Sequence, residues 1–208
     1  KKVRLWDIEA QKNIAELTGH IRPVSHLAFS PDGKRIITIS NEGRICQWDI
    51  SHLRTLTDCR GYFAKKIYFD LSSNKKQIAC GRYEDGTIQL WDIEAQRLIV
   101  ELNGQLNHGY SYIGFSPDGD QIATIQNKTI NLWNVVSQKF IGTFDEHNDY
   151  IRCIAFSPDA KCVVSVSDHK VFLWNTTNLK TLAAFNSALS YKAVTFSPDG
   201  NWIALASI

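Results

Sequence analysis

One short stretch of the chain contains a histidine, two serines and an aspartate: His147, Ser165, Ser167 and Asp168. These are the residue types of a hydrolytic triad, in which a histidine takes the proton of a serine nucleophile and a carboxylate orients the histidine. Two features argue against that chemistry. Similar sets recur elsewhere in the chain, and no serine lies in the Gly-x-Ser-x-Gly pattern that exposes a nucleophile at a sharp turn. We therefore predict structural roles, no catalytic residue and no enzymatic activity.

The other histidines and the cysteines do not form ligand sets. Neither His-x-x-x-His nor mixed Cys/His spacing occurs among the six histidines, so no metal site is predicted. The five cysteines are an odd number without a Cys-x-x-Cys pair, which indicates thiols in a reducing compartment and predicts a cytoplasmic protein. The glycine-rich patterns of nucleotide sites are also missing, and we predict no cofactor.

Length and charge narrow the function classes further. The chain has 208 residues and a net charge of +2. So small a charge argues against a protein whose main role is to bind phosphates or anionic lipid. No apolar run is long enough to span a membrane, and the first four residues do not lead into a signal-peptide core. Residues 60–82 are locally basic, with Asp70 as the single acid. A solvated surface is favoured there over a site for nucleic acid or an acidic peptide.

Two signals repeat along the chain and decide its architecture. Tryptophans recur 42, 43, 42 and 41 residues apart, each followed by Asp or Asn. Out of phase with them, Phe-Ser-Pro-Asp-Gly recurs at 29–33, 115–119 and 196–200, with Ala in fifth place at 156–160 and a degraded copy predicted at 69–71. Repetition at this period is typical of stacked repeats, which mostly present surfaces for binding. The repeated tryptophans are Trp6, Trp48, Trp91, Trp133 and Trp174.

Each repeat reads as four short strands. In residues 19–58 the apolar runs 24–29, 35–40, 44–50 and 53–57 are separated by turn residues, which predicts a meandering antiparallel sheet. The second and third runs are almost continuously apolar, as expected for strands covered on both faces. A small sheet is covered in this way when copies of itself stack on either side, which is the arrangement of a β-propeller.

The units resemble WD-repeat (WD40) blades over the whole chain. The Phe-Ser-Pro-Asp-Gly sequence of the turns is similar to that of long bacterial WD-repeat proteins. The resemblance implies an all-β, WD40-type β-propeller domain over residues 1–208. It has four complete four-stranded blades and two complementary half-blades, and we expect five repeats that close as a five-bladed ring or pair between chains. The predicted boundaries are a half-blade at 1–18, blades at 19–60, 61–103, 104–145 and 146–186, and a half-blade at 187–208.

The resemblance also implies a buried hydrogen-bond network in each blade, formed by a His after Gly, a Ser or Thr on the second strand, an Asp in the next turn and the Trp. The most complete copy uses His147, Ser165 or Ser167, Asp168 and Trp174. Other copies are partial, and Ser187 occupies the His position in the last unit. Beside the five tryptophans, the residues with predicted structural roles are His20, His147, Asp85 and Asp168.

Propellers of this family mostly bind proteins or peptides over the narrow face near the central channel. The loops before each first strand and the turns before each third strand converge there. Aromatic residues and arginine on such a face are typical interface anchors. The predicted partner-binding residues are Arg22, Asn41, Tyr62, Glu84, His108, Tyr110, Gln126, Asp149, Tyr150 and Arg152.

Two functions from different classes follow. The first is a non-catalytic protein- or peptide-interaction scaffold or sensor module of a larger protein, because the chain contains no methionine and begins in the middle of a repeat. Such a module has protein or peptide partners, no membrane, no nucleic acid, and a possible homo-oligomer through its open half-blade edges. The alternative is a small-ligand-binding or enzymatic propeller that uses the channel mouth, with Glu84, His108 and Asp149 as candidates.

Overall fold

The computed structural model describes residues 2–30, 32–41, 44–60, 67–74, 76–82, 86–95, 97–103 and 111–207. Throughout this part of the chain, β-strands alternate with turns and no helix is present. The all-β class predicted from the repeats is therefore confirmed. In the same ranges no helix is long and apolar enough to cross a membrane.

Four sheets contain four strands each, and strands that follow one another along the chain are neighbours in the sheet. They are β3–β6 (Val24–Phe29, Arg35–Ser40, Arg44–Asp49, Arg54–Arg60), β7–β10 (Ile67–Leu71, Gln77–Arg82, Thr87–Asp92, Arg97–Asn103), β11–β14 (Tyr112–Phe115, Gln121–Gln126, Thr129–Asn134, Lys139–Phe144) and β15–β18 (Cys153–Phe156, Cys162–Val166, Lys170–Asn175, Thr181–Asn186). These are the four complete units that the repeats predict.

Two further sheets are hairpins of two strands. They are β1–β2 (Lys2–Asp7, Lys12–Thr18) and β19–β20 (Tyr191–Phe196, Ile203–Ser207). They correspond to the two predicted halves. Each hairpin is a sheet of its own in the structure, and closure of a ring, within one chain or between chains, stays a prediction.

The chain divides into two compact units, the first made of residues 1–67 and 92–97. In this unit the β1–β2 hairpin packs on the β3–β6 sheet through an apolar cluster that includes Val3, Leu17, Ile36 and Trp48. Trp48 is only 2% exposed, whereas Trp6, at the same repeat position, is 56% exposed. The burial of each repeated tryptophan therefore depends on a neighbouring sheet.

The second unit comprises residues 68–91 and 98–208 and holds three consecutive interfaces between sheets. Ile88 and Leu90 of the β7–β10 sheet pack with Trp133 of the next sheet. Phe144 of the β11–β14 sheet packs with Trp174 in turn, and a third cluster joins β15–β18 to β19–β20. Because a sheet between two others is covered on both faces, the middle strands β12 and β16 are buried along almost their whole length.

The Phe-Ser-Pro-Asp-Gly segments form the turn between the first and second strands. In the copy at 156–160, Ser157 Oγ donates to Asp159 and accepts from the Cys162 N–H, at 2.6 and 2.9 Å. The degraded copy predicted at 69–71 was placed two residues too early. Ser72 makes the equivalent bonds to Asn74 and Gln77, at 2.8 and 3.0 Å. The prediction took Phe69 as the apolar residue before the turn, whereas Leu71 occupies that position.

That shift leaves Asp70 at a strand position where the neighbouring sheets have the small residues Gly114 and Ala155. Its carboxylate accepts a hydrogen bond of 2.8 Å from the Phe115 N–H of the next sheet. Burial raises the pKa of Asp70, although this bond and the one from the Leu71 N–H act in the opposite direction. Asp70 therefore joins the first strands of two successive sheets within the second unit.

The backbone conformation at the end of the turn favours glycine, although Ala160 holds the same place in another copy with a φ of 59°. Gly33 has a φ of +68°, and a Cβ added there would meet nothing within 4 Å. We expect Gly33→Ala to lower the free energy of unfolding by about 1 kcal/mol, because an alanine is strained in the left-handed region. Urea denaturation measures the change. Gly33→Asn is the matched control and should cost less, since asparagine tolerates this conformation; an equal cost would contradict the backbone explanation.

Candidate partner-binding face

Two buried networks tie the loop before a first strand to the second and third strands of the same sheet. In the β15–β18 sheet, His147 Nε2 lies 2.7 Å from Ser165 Oγ, which also accepts the Trp174 indole N–H at 2.7 Å. In the β3–β6 sheet, the His20 ring and the Trp48 indole bond Thr38 Oγ1 at 2.6 and 2.8 Å. Each network has a single shared hydroxyl, which fixes the loop on the strands.

The first network does not have the geometry of a catalytic triad. Ser165 is completely buried, and its hydroxyl oxygen already accepts a hydrogen bond from Trp174. Asp168 bonds Arg152 and Ser190, and His147 Nδ1 is buried without a hydrogen-bond partner. The carboxylate that the sequence suggested as the fourth member of the network therefore lies outside it. Nucleophilic catalysis needs an accessible hydroxyl and an oriented histidine.

Burial controls the charge of His147. Desolvation, reinforced by the positive charge of Lys170, lowers the pKa of His147 to about 4, while Asp149 opposes the shift. The ring packs edge-on against Phe172, with centroids 4.6 Å apart. At neutral pH this histidine is therefore an uncharged part of the core.

The other predicted structural residues have different surroundings. Trp91 is half-buried and its indole N–H donates to Gln89 Oε1 at 3.4 Å. Trp133 is 6% exposed and its Nε1 has no hydrogen-bond partner. Trp6 is mostly exposed, and Asp85 lies outside the described residues. Only two of the five repeated tryptophans, Trp48 and Trp174, share a hydroxyl with a histidine in the described part of the chain.

Loops from successive sheets meet at one end of the strands in the second unit. We call residues 127–128, 145–152, 167–169 and 187–190 the loop face. The Ile151 N–H donates to Asn127 O at 2.9 Å, and the Lys128 ammonium group donates to Asn148 O. The Ser187 N–H donates to His169 O at 2.9 Å. These bonds link each loop to the loop of an adjacent sheet.

An ion pair lies in the middle of this face. Arg152 donates to both oxygens of Asp168, at 3.0 and 2.8 Å, and Ser190 donates to the same carboxylate at 3.0 Å. The Arg152 guanidinium, followed by the Ser190 hydroxyl, lowers the pKa of Asp168, and the pair raises the pKa of Arg152. The bidentate geometry holds the exposed arginine in one orientation.

The structure brings some predicted partner-binding residues together and not others. Arg152 and Tyr150 belong to the loop face, where Tyr150 is 60% exposed and Asp149 is half-buried. Gln126, in the last pair of the β12–β13 hairpin, is only 6% exposed, so its side chain is not accessible. Arg22 and Asn41 are exposed residues of the first unit. The predicted residues that lie outside the described ranges are Tyr62, Glu84, His108 and Tyr110.

Sequence reasoning missed Ser190 and the pairing of Arg152 with Asp168. Ser190 is 22 residues from Asp168 and belongs to the next repeat. The sequence predicts a partner-binding role for Arg152 and a structural role in the buried network for Asp168. No sequence signal marks this pairing, because nothing equivalent recurs in the other repeats at these positions.

The described residues contain no group of three or more His, Cys, Asp or Glu side chains that could hold a metal ion. The loop face instead offers an exposed aromatic ring, an oriented guanidinium and an exposed aliphatic side chain, that of Leu189. Such an arrangement suits non-covalent contact with another molecule.

Comparison with known proteins agrees with the fold. The family model for the "WD domain, G-beta repeat" matches residues 11–49, 54–92 and 138–175, which together make up more than half of the chain. Each matched segment ends one residue after one of the repeated tryptophans.

Several curated proteins are similar over parts of their length. U3 snoRNP-associated protein-like EMB2271 of Arabidopsis thaliana is 25% identical over 138 residues, which cover 66% of this chain and 28% of that protein. Eukaryotic translation initiation factor 3 subunit I of Aspergillus terreus is 23% identical over 121 residues, covering 58% and 35%. Target of rapamycin complex subunit wat1 of Schizosaccharomyces pombe is 27% identical over 165 residues, covering 73% and 51%.

The chain therefore spans between about a quarter and a half of the length of these relatives. Its stacked four-stranded sheets, its repeated Trp-Asp and Ser-Pro-Asp-Gly segments and the match of the family model agree with one another. The chain belongs to the WD40 repeat family.

Proposed function

We propose that this chain is a non-catalytic interaction module that binds a protein or peptide partner through its loop face. The observation that carries the proposal is the Arg152–Asp168–Ser190 cluster beside the exposed ring of Tyr150. An oriented arginine and an exposed tyrosine are the side chains that most often dominate binding energy at interfaces. Both lie on loops tied to neighbouring sheets, so little conformational entropy is lost when a partner binds.

The relatives support the same class of function. Their names describe a subunit of a eukaryotic translation initiation factor, a subunit of a target of rapamycin complex and a U3 snoRNP-associated protein-like protein. Membership of multi-component assemblies is the shared property, and we propose that this chain too acts within an assembly. A cytoplasmic location is part of the proposal, and the free thiols of Cys153 and Cys162 are consistent with a reducing compartment.

A peptide-display selection tests the proposal. Random peptides selected against the unmodified chain should lose affinity by about tenfold or more with Tyr150→Ala and with Arg152→Ala, because each substitution removes an anchor. Fluorescence anisotropy measures the affinities, and the thermal midpoints of both variants should stay close to that of the unmodified chain, since the side chains are exposed.

Lys139→Ala is the matched control. Lys139 is exposed and lies beside the β13–β14 turn, at the opposite end of the strands from the loop face. The Lys139→Ala variant should bind the selected peptides as tightly as the unmodified chain does. The assignment of the face would be overturned if the affinity for the selected peptides fell with Lys139→Ala and stayed unchanged with Tyr150→Ala and Arg152→Ala.

A further inference from the structure

The ion pair of the loop face leaves one edge of the Arg152 guanidinium group unused. A guanidinium group carries five N–H donors in one plane. Asp168 accepts from Nε and from one N–H of Nη2, at 3.0 and 2.8 Å. Among the described residues no acceptor is bonded to the other three N–H groups, which belong to Nη1 and Nη2 and which we call the outer edge. The Arg152 side chain is 52% exposed, so the outer edge is open to another molecule.

Contacts behind the guanidinium group fix the direction of the outer edge. Ser190 donates to Asp168 Oδ1 at 3.0 Å, so the carboxylate accepts three hydrogen bonds in all. The turn that carries Ser190 is held by Ser187, whose hydroxyl donates to Leu189 O at 2.9 Å and accepts from the Leu189 N–H at 3.0 Å. Little side-chain entropy is therefore lost when an acceptor binds the outer edge.

The ion pair also decides which acceptors the outer edge prefers. An unpaired arginine favours carboxylate and phosphate groups. Here the charge of Arg152 is balanced by Asp168, so an anion at the outer edge meets a second negative charge behind the guanidinium group, which offsets much of the attraction. The anion would also give up its hydration, which is costly for a charged group and much less costly for an uncharged carbonyl. A carbonyl oxygen is therefore the favoured acceptor.

The neighbouring charges act in the same direction. The loop face has a formal charge of −2, although the whole chain carries +2. Its four acids and two bases are Asp145, Glu146, Asp149 and Asp168 against Lys128 and Arg152. The Lys128 ammonium group is already bonded to Asn148 O. An acidic or phosphorylated segment is therefore repelled by the face as a whole.

We propose that the partner of the loop face binds the outer edge of Arg152 with an uncharged carbonyl oxygen, and not with a carboxylate or a phosphate group. This inference rests on the proposed interaction function and adds the chemical class of the partner's contact. The carbonyl belongs to the main chain of the partner or to the side-chain amide of its asparagine or glutamine. Tyr150 and Leu189, which are 60% and 54% exposed, offer apolar surface on the same face. Asp168 is then the residue that determines specificity.

Inorganic phosphate tests the role of Asp168 without a known partner. The full chain, labelled with nitrogen-15, is titrated with inorganic phosphate at neutral pH and constant ionic strength. Nuclear magnetic resonance follows the Arg152 Nε–H signal, which is identified by its absence from Arg152→Ala. We expect Asp168→Asn to bind phosphate about tenfold more tightly than the unmodified chain, because the balancing charge is removed.

Asp120→Asn is the matched control for the phosphate titration. It changes the net charge of the chain by the same amount, but Asp120 is an exposed residue of the β11–β12 turn, at the opposite end of the strands from the loop face. Its phosphate affinity should equal that of the unmodified chain. Equal phosphate affinity of the unmodified chain and of Asp168→Asn would overturn the inference.

Peptides selected against the unmodified chain test for the carbonyl itself. Each main-chain amide of a selected peptide is replaced in turn by an ester, whose carbonyl oxygen is a weaker acceptor, and each asparagine or glutamine is replaced by leucine. At one position the affinity for the unmodified chain should fall by about threefold or more, whereas the affinity for Arg152→Ala should not change. An ester position assigns the contact to the main chain, and a leucine position assigns it to a side-chain amide. Fluorescence anisotropy measures the affinities.

The two proposals fail in different ways. Selected peptides that bind Tyr150→Ala and Arg152→Ala as tightly as the unmodified chain overturn the interaction function and this inference with it. The inference alone is overturned if the peptides depend on both side chains but bind Arg152 through an acid. In that case a change of Asp to Asn or of Glu to Gln in the peptide lowers the affinity for the unmodified chain by about tenfold and leaves the affinity for Arg152→Ala unchanged.

Discussion

Replacement of Trp174 by alanine is expected to lower the free energy of unfolding by about 3–5 kcal/mol. The side chain is 1% exposed and stacks between Phe144 and Phe172, with ring centroids 4.7 and 4.8 Å away. Its removal leaves a cavity between two sheets and takes away the hydrogen bond to Ser165. Urea denaturation followed by far-ultraviolet circular dichroism measures the loss.

Trp6→Ala is the matched control for this substitution. Trp6 holds the same repeat position but is 56% exposed, so its removal opens no closed cavity and should cost about 1 kcal/mol or less. A similar cost for both substitutions would contradict the view that stacked sheets, and not the repeat motif itself, give the tryptophan its effect.

Stability is expected to fall as the pH is lowered from 7 to 5 through the titration of His147. The pKa of His147 in the folded chain is about 4, below the ordinary histidine pKa of 6.5. Below pH 6.5 the unfolded chain therefore binds a proton that the folded chain does not bind. The stabilisation is complete at neutral pH and is lost progressively as the pH falls toward 4. Linkage gives a loss of about 2 kcal/mol by pH 5 for this group.

The His147→Gln variant isolates that contribution. It should be less stable than the unmodified chain at pH 7, because the bond to Ser165 is altered, and its stability should vary less between pH 7 and 5 by about 2 kcal/mol. His169→Gln replaces an exposed histidine nearby and should keep the full pH dependence. An unchanged slope in His147→Gln, measured by urea denaturation at each pH, would contradict the assignment.

The repeats alone were enough to predict the strands and their order. Period, turn residues and runs of β-branched side chains are local properties, and each unit carries them independently, so an error in one copy is corrected by the others. The four sheets, the two hairpins and the burial of the middle strands agree with that prediction. Where the local pattern was weak, at 69–71, the predicted turn was two residues out of place, and Ser72 holds the true position.

The partners of individual side chains were decided only by the tertiary structure. The sequence offered both Ser165 and Ser167 as the hydroxyl of the network. Ser165 lies on β16 and accepts the Trp174 indole N–H, whereas β16 ends at Val166 and the Ser167 hydroxyl donates to Lys170 O in the turn. Asp168 bonds Arg152 and Ser190 instead of a histidine, because the loop of the next repeat comes within reach of its carboxylate.

The difference between local sequence patterns and tertiary contacts also decides how much of the candidate site could be predicted. From its repeats the sequence determined the family and the sheets. Which residues meet on the loop face, and which donors lack a partner, depends on contacts between residues far apart in the chain, such as the 22 residues that separate Asp168 from Ser190. Hydrogen bonds act over about 3 Å, so a pattern of residue types cannot determine them until packing has brought the side chains together.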